Sequence, residues 1–265
     1  SCGIVVNDRG VMHSYKDNGL VNDVFHREEL EGLGYGNIAI GHVRYGTTGG
    51  NIRRNAQPIT INHIKGAMSL AHNGNLTNAS VLREELELKG SIFHTTSDTE
   101  VIAYEFTKQR IASSSIEEAI SKAMHRLKGA YSLVVMSPQK LLGVRDPLGF
   151  RPLCIGQLDN GYVLASETCA LDAVGAKFLR DVKPGEIVII DENGLRSITD
   201  HCTDGPKAFC IFEYIYFSRP DSVVEGSTVH VARHRAGAML AMQHPVDADV
   251  VIGVPDSGLD AALGY

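Results

Sequence analysis

Short β-branched segments separated by tight turns make up much of the chain up to about residue 200, and a block of helical sequence interrupts them. The segments NIAIGHVRY and AYSLVVM have the β-branched and aromatic content of buried strands. The dipeptides Asn160-Gly161 and Asn193-Gly194 are typical of two-residue hairpin turns. Since amphipathic helices lie in the same part of the chain, we predict an α/β layered domain in which helices cover the sheets.

Two helices are marked by their first residues. A Ser97-x-x-Glu100 capping box precedes one, and a Ser115-x-x-Glu118 box precedes the other, which is predicted to end at Gly129. The second helix carries an apolar stripe that predicts one buried face, formed by Ile116, Ala119, Ile120, Ala123 and Leu127.

The character of the sequence changes near HCTDGPKAF, where polar residues, glycine and proline replace the β-rich pattern. Beyond it we predict a strand-like FCIFEYIYF, a helix from about Thr228 to Gln243, and a strand DVVIGV that leads into PDSGLDAALGY. A buried strand followed by a short polar loop and a helix is how a doubly wound sheet begins. We therefore predict a first domain over residues 1–205 and the incomplete beginning of a second over 206–265.

Composition narrows the function. Hydrophobic residues make up 43% and charged residues 21%, and the formal charge of −6 with a pI of about 6.0 argues against a nucleic-acid partner. The sequence shows no apolar run long enough to cross a membrane. The five cysteines are an odd number, are scattered, and follow no secretory leader. These features predict a cytoplasmic protein with reduced thiols.

Four stretches combine into one candidate site. Cys2 could be a nucleophile or only the first residue of a strand. Arg44 could present a planar fork to a carboxylate or be a surface arginine. Asn73-Gly74 could supply two donors to an oxyanion or form a tight turn, and Asp98 could hold an ammonium group or complement a helix dipole. Together these groups are what cleavage of the side-chain amide of a free amino acid requires.

At this point the residues resemble a known family. The motifs SCG, GHVRYGTTGGNIRRNAQP, LAHNGNLTN, HTTSDTEVIAYE, GVRDPLGFRPL and EYIYFSRPDS are similar to those of glutamine phosphoribosylpyrophosphate amidotransferases, over nearly the whole chain. The resemblance implies a four-layer αββα N-terminal-nucleophile hydrolase domain, followed by the truncated start of a phosphoribosyltransferase-type α/β domain. It also implies a glycosyltransferase that hydrolyses glutamine to glutamate and transfers the ammonia to phosphoribosylpyrophosphate, giving 5-phosphoribosylamine in the first step of purine biosynthesis.

The same resemblance implies a role for each site residue. Cys2 matches the nucleophile, Arg44 the group that binds the glutamine α-carboxylate, Asn73 and Gly74 the oxyanion hole, and Asp98 the partner of the α-amino group. It further implies magnesium in the phosphoribosyltransferase part, feedback by purine nucleotides and a homo-oligomer. Some members have an iron-sulfur cluster, a 4Fe-4S centre, and Cys210 lies where they place one of its cysteine ligands.

The sequence departs from the family pattern in three places. Ser1 precedes Cys2, so the α-amine is not that of the cysteine, and we expect activity only after Ser1 is removed. A segment resembling QHRGQESAG is expected between Gly3 and IVVNDRG and is missing there. The acidic phosphoribosylpyrophosphate loop is not in the chain. Two alternatives stay open: a glutaminase that serves another acceptor, such as a sugar phosphate or aspartate, and a non-enzymatic regulatory protein that keeps the fold.

Overall fold

Two antiparallel sheets form the first of the two units into which the chain divides. The structure is a computed structural model that describes residues 1–45 and 52–265. Residues 1–149 and 183–206 form the first unit, and residues 150–182 and 207–265 form the second. The domain boundary predicted between residues 205 and 206 stays a prediction.

The larger sheet of the first unit has six strands in the order β12-β11-β7-β6-β5-β4. A two-residue hairpin forms here as predicted, but its loop residues are Glu192 and Asn193, one position before the predicted Asn193-Gly194, because Gly194 already pairs with Asp191 in the β11–β12 ladder. The strands of this sheet are β4 (Ile59–His63), β5 (Gly66–Leu76), β6 (Gly129–Met136), β7 (Leu141–Arg145), β11 (Ile187–Asp191) and β12 (Gly194–Ile198).

The smaller sheet has three strands in the order β2-β1-β3, namely β1 (Cys2–Asp8), β2 (Val11–Asp17) and β3 (Ile38–Val43). Its inner face packs on the six-stranded sheet through Val5 and Ile40, which contact Met136 and Val134 of β6. Side chains alternate between the two faces of a strand, so Leu133 and Val135 of β6 project to the opposite side. The two sheets therefore lie face to face.

Helices cover the other face of the six-stranded sheet. Leu133 and Val135 belong there to a core that includes Ile102 and Phe106 of α4 and Ile120 of α5. The order of layers is thus helix, sheet, sheet, as the α/β layered prediction requires. The remaining helices of this unit are short, and its helices are α1 (Val21–Val24), α2 (Arg27–Glu31), α3 (Ala79–Glu87), α4 (Asp98–Ile111) and α5 (Ile116–Met124), with a 3-10 turn at Arg53–Asn55.

Both predicted capping serines begin their helices, but the glutamates three residues later do not complete the predicted capping boxes. The Ser97 hydroxyl accepts a hydrogen bond from Thr99 N, and the Ser115 hydroxyl accepts one from Glu118 N. Glu100 accepts from the backbone of Thr95 and its neighbour, not from Ser97. Helix α5 ends at Met124, five residues before the predicted glycine.

In the second unit a three-stranded sheet has the order β10-β8-β9. A two-residue hairpin joins β8 to β9, but its loop residues are Asp159 and Asn160, one position before the predicted Asn160-Gly161, because Gly161 already pairs with Leu158. The predicted helix from Thr228 is confirmed as α7, which contacts α8. The elements are β8 (Cys154–Leu158), β9 (Gly161–Ala165), α6 (Thr168–Ala173), β10 (Lys177–Asp181), a π-helical turn (Glu213–Phe217), β13 (Val223–Val224), β14 (Ser227–Thr228), α7 (Val229–Gln243) and α8 (Gly258–Gly264).

Two predicted strands of this unit do not form. The segment FCIFEYIYF contains the π-helical turn, because Glu213 is buried against Arg151 and the Arg233 guanidinium binds the carbonyls of Tyr214 and Ser218. A strand would present those carbonyls to a neighbouring strand instead. The segment DVVIGV is irregular and mostly exposed, with no strand beside it among the described residues.

Candidate active site

Strand β3 brings His42 to the inner face of its sheet and leads directly to Arg44. The His42 Nε2 lies 3.2 Å from the carbonyl oxygen of His72 and donates to it, since a carbonyl can only accept. Burial lowers the pKa of His42 to about 4, and the charges of His72 and Arg44 add to this effect. His42 is therefore neutral at pH 7, and the Arg44 guanidinium acts on this same region.

The Asn73-Gly74 pair lies inside strand β5 and is not a hairpin turn. Asn73 is opposite Ser132 and Gly74 opposite Tyr131 in the ladder with β6. Gly74 has a φ of +143°, and a Cβ at this position would overlap the carbonyl oxygen of Ala130. Only glycine fits such a backbone at this distance from a neighbouring strand. The turn alternative is thus excluded for this pair.

Asp98 begins helix α4 and binds back to strand β5. Its Oδ2 accepts a hydrogen bond of 2.9 Å from Leu76 N, and its Oδ1 lies 3.5 Å from Nδ1 of His72. Burial alone would raise the pKa of Asp98, but the hydrogen bonds from His72 and Leu76 and the charge of His72 outweigh it, so the pKa is lowered. The carboxylate is therefore ionised at neutral pH, and 18% of the side chain stays accessible.

His72 connects these parts, although the sequence analysis did not select it. Its ring is 1% exposed, and Nε2 lies 3.2 Å from the carbonyl of Ala130 while Nδ1 faces Asp98 and Thr99. Thus one imidazole, carried by β5, links the helix that begins at Asp98 to the neighbouring strand β6. Its position directly before Asn73-Gly74, in an apolar strand, was the available signal.

Cys2 does not join this group. Gly3 and Val5 of β1 face the six-stranded sheet, so the alternation along the strand turns Cys2 to the opposite face. Its thiol is buried 3.8 Å from the carbonyl oxygen of Gly19. Burial raises the pKa of the Cys2 thiol and the neighbouring acids raise it further, against the lowering effect of the terminal ammonium. A buried thiol with a raised pKa is a poor nucleophile.

The residues on either side of Cys2 have structural roles. Ser1 extends the β1–β3 ladder, because its ammonium donates to Arg44 O over 3.1 Å and its carbonyl accepts from Arg44 N over 2.8 Å. A Cβ on Gly3 would overlap the carbonyl oxygen of Gln57. The glycine of the Cys-Gly pair is therefore required by this close approach.

Two predicted features remain, the loop after Arg44 and the thiol of Cys210. Residues 46–51, the Gly- and Thr-rich loop predicted to follow Arg44, are not among the described residues. Cys210 lies in the second unit as a free thiol. Within residues 1–45 and 52–265, no three His, Cys, Asp or Glu side chains come together as metal ligands, so these residues do not by themselves fit an iron-sulfur cluster. The same part of the chain contains no helix that is both long and apolar enough to span a bilayer.

Several known proteins and one family of domains are similar to this chain. The model of a glutamine amidotransferase domain family matches residues 43–173. Amidophosphoribosyltransferases from Archaeoglobus fulgidus and Bacillus subtilis are both 46% identical, over 100% and 99% of this chain and 57% and 55% of their own length. The solved glutamine phosphoribosylpyrophosphate amidotransferase from B. subtilis, complexed with ADP and GMP, superposes with a TM-score of 0.92 at 44% identity, covering 100% of this chain and 56% of that one.

The fold and these similarities define a glutamine amidotransferase domain with the N-terminal-nucleophile hydrolase type of fold. The chain belongs to the amidophosphoribosyltransferase family. It spans 55–59% of the length of the curated relatives from Methanocaldococcus jannaschii, A. fulgidus and B. subtilis.

The comparison corrects one expectation about the beginning of the chain. The alignment with the A. fulgidus relative is 265 residues long and covers 100% of the 265-residue chain. Such an alignment has no room for a strand and a helix inserted after Gly3. Compared with the A. fulgidus relative, the chain therefore lacks no QHRGQESAG-like segment between Gly3 and Ile4.

Proposed function

We propose that the site at the ends of β3 and β5 binds free glutamine and hydrolyses its side-chain amide to glutamate and ammonia. One observation carries the proposal. The ionised Asp98 is bound to the strand that holds Asn73-Gly74, through Leu76 on one side and His72 on the other. An ammonium acceptor and two oxyanion donors are thereby fixed in one place, and glutaminase chemistry needs both.

Each group has a definite task in the proposed reaction. Arg44 binds the α-carboxylate with its planar fork, and Asp98 accepts hydrogen bonds from the α-ammonium. When a nucleophile attacks the carboxamide carbon, the carboxamide oxygen becomes an oxyanion. The side-chain amide of Asn73 and the N–H of Gly74 donate to that oxygen. Collapse of the intermediate releases ammonia, and water then releases glutamate.

The ammonia acceptor is proposed from the relatives. In the complete protein it would be phosphoribosylpyrophosphate, in accordance with the names of the similar proteins, and the product would be 5-phosphoribosylamine. Control by purine nucleotides is proposed because the similar B. subtilis structure contains ADP and GMP. Magnesium in the phosphoribosyltransferase part, a cluster ligated by Cys210, a homo-oligomer and a cytoplasmic location stay predictions from the family resemblance.

The test uses the full-length gene product with glutamine, N-acetylglutamine and glutamine methyl ester. We expect glutamate and ammonia from glutamine. Masking either charged end removes one charge-assisted contact and should lower kcat/KM by about ten- to a hundredfold. Failure to release glutamate from glutamine would contradict the proposal, and so would equal kcat/KM for N-acetylglutamine, because Asp98 would then bind no ammonium.

The nucleophile needs its own experiment, since the Cys2 thiol faces Gly19 and not the Asn73-Gly74 pair. A diazo-ketone analogue of glutamine labels the attacking thiol, and peptide mass mapping locates it. The observed geometry predicts that Cys2 stays unlabelled and that Cys2→Ser keeps glutaminase activity. Label on Cys2 would establish the role predicted from the sequence and would show that β1 rearranges.

A further inference from the structure

Strand β5 loses a neighbour before it reaches the proposed oxyanion donors. The ladder between β4 and β5 begins at the pair Ile59–Leu70. The preceding residue, Pro58, has no N–H and cannot extend the ladder. Within residues 1–45 and 52–265, β6 is the only strand paired with β5 from His72 onward.

A side chain replaces the missing strand at that point. The Gln57 Oε1 accepts a hydrogen bond of 2.7 Å from His72 N, and Gln57 Nε2 lies 3.4 Å from His72 O and donates to it. The same carbonyl accepts the second donor from His42 Nε2. Gln57 is 5% exposed. Its amide therefore pairs with the His72 backbone as a peptide group of a neighbouring strand would.

Gln57 is itself held firmly. The Lys16 ammonium donates to the carbonyls of Ala56 and Pro58 over 2.8 and 3.0 Å, and Gly3 leaves room for the Gln57 carbonyl. The segment that carries Gln57 is thus tied to strands β1 and β2. Any displacement of β5 at His72 would break contacts to this fixed segment.

We propose that Gln57 is a positioning residue for the oxyanion donors. The His72 carbonyl and the Asn73 N–H belong to one planar peptide group. Hydrogen bonds that hold this carbonyl therefore also fix the backbone position of Asn73, from which its side-chain amide and the Gly74 N–H extend. Gln57 does not touch glutamine. It acts through His72, while Arg44 and Asp98 bind the two ends of the substrate. This inference rests on the proposed glutaminase function.

The test compares Gln57→Glu, Gln57→Met and wild type in the full-length gene product. The glutamate keeps the acceptor for His72 N, but its second carboxylate oxygen replaces the Nε2 donor and repels the carbonyl oxygen of His72. The methionine removes both hydrogen bonds. A displacement of about 1 Å at a reacting group costs on the order of a hundredfold, so we expect kcat for glutamine to fall by that order in both variants. The KM for glutamine should stay within about threefold, because both substrate ends keep their partners. Gln139→Glu, on an exposed loop of the same unit, is the matched control and should behave as wild type.

Amide hydrogen exchange gives a second readout that does not need activity. Gln57→Met should speed exchange at the His72 amide while the β6–β7 amides keep their protection. A kcat within threefold of wild type, proportional changes in kcat and KM, or unchanged exchange at His72 would overturn the role of Gln57. If the wild type does not hydrolyse glutamine at all, the proposed function fails, and the exchange measurement still decides whether Gln57 holds the strand.

Discussion

A half-buried, neutral histidine makes the first unit sensitive to acid. Burial and the neighbouring His72 lower the pKa of His42 from 6.5 to about 4. In the unfolded chain this residue takes up a proton near its ordinary pKa, whereas in the folded chain it does not until about pH 4. The stabilising contribution is thus present above about pH 6.5 and is lost as the pH falls toward 4.

The size of the effect follows from the two pKa values. Between pH 7 and pH 5 the proton taken up by the unfolded state lowers the unfolding free energy by about 2 kcal/mol. His42→Gln removes the titration and keeps an N–H donor that can reach the His72 carbonyl. The variant should therefore lose about 2 kcal/mol less than wild type over this pH interval.

The assay is urea unfolding at both pH values, followed by far-ultraviolet circular dichroism, since the chain has no tryptophan. His94→Gln is the matched control, because the His94 side chain is exposed. It should reproduce the wild-type pH dependence. Equal losses of unfolding free energy in wild type and His42→Gln would refute the reasoning, since they would mean that His42 titrates normally in the folded protein.

Three further outcomes test the site and its packing. Arg44→Lys and Asp98→Asn should each raise the KM for glutamine by about ten- to a hundredfold in steady-state assays, and an unchanged KM in both would contradict their substrate roles. Gly74→Ala should abolish most glutaminase activity, because the added Cβ overlaps the Ala130 carbonyl, and wild-type kcat would show that β5 and β6 have more room. Gly3→Ala should lower the unfolding free energy by about 1–3 kcal/mol, because the added Cβ overlaps the Gln57 carbonyl. The control Gly161→Ala, whose added Cβ meets no atom within 4 Å, should leave the unfolding free energy nearly unchanged. Equal unfolding free energies of the two variants would contradict the close packing of Gly3 against Gln57.

Local signals in the sequence were sufficient for much of the fold. The capping serines at positions 97 and 115 and the helix from Thr228 depend on interactions within a few residues, and the structure contains them. The two Asn-Gly pairs located their hairpins to within one residue. The strand predicted at DVVIGV failed for the opposite reason. A strand needs a neighbour, and the apolar pattern alone cannot supply one.

The site depends on contacts between residues that are distant in sequence. Asp98 meets Leu76, His42 meets His72, and Gln57 meets His72 across 15 to 30 positions. The position of His72 directly before Asn73-Gly74 marks it as close to the site but does not reveal its distant partners, and Gln57 has no local signal of either kind. The direction of the Cys2 side chain cannot be read from the sequence for another reason, because the face of a strand on which a side chain lies changes with each residue and depends on the register of the sheet.

The proposed oxyanion hole is tested most directly by glutamine hydrolysis in Asn73→Ala. Removing one of two preorganised donors lowers kcat by about a hundred- to a thousandfold in comparable sites. Because Asn73 acts on the developing oxyanion and not on the charged ends of glutamine, the KM should change little. We expect this result for the full-length gene product, with folding verified by circular dichroism. A kcat equal to that of wild type would contradict the assignment of Asn73 and with it the account of the site.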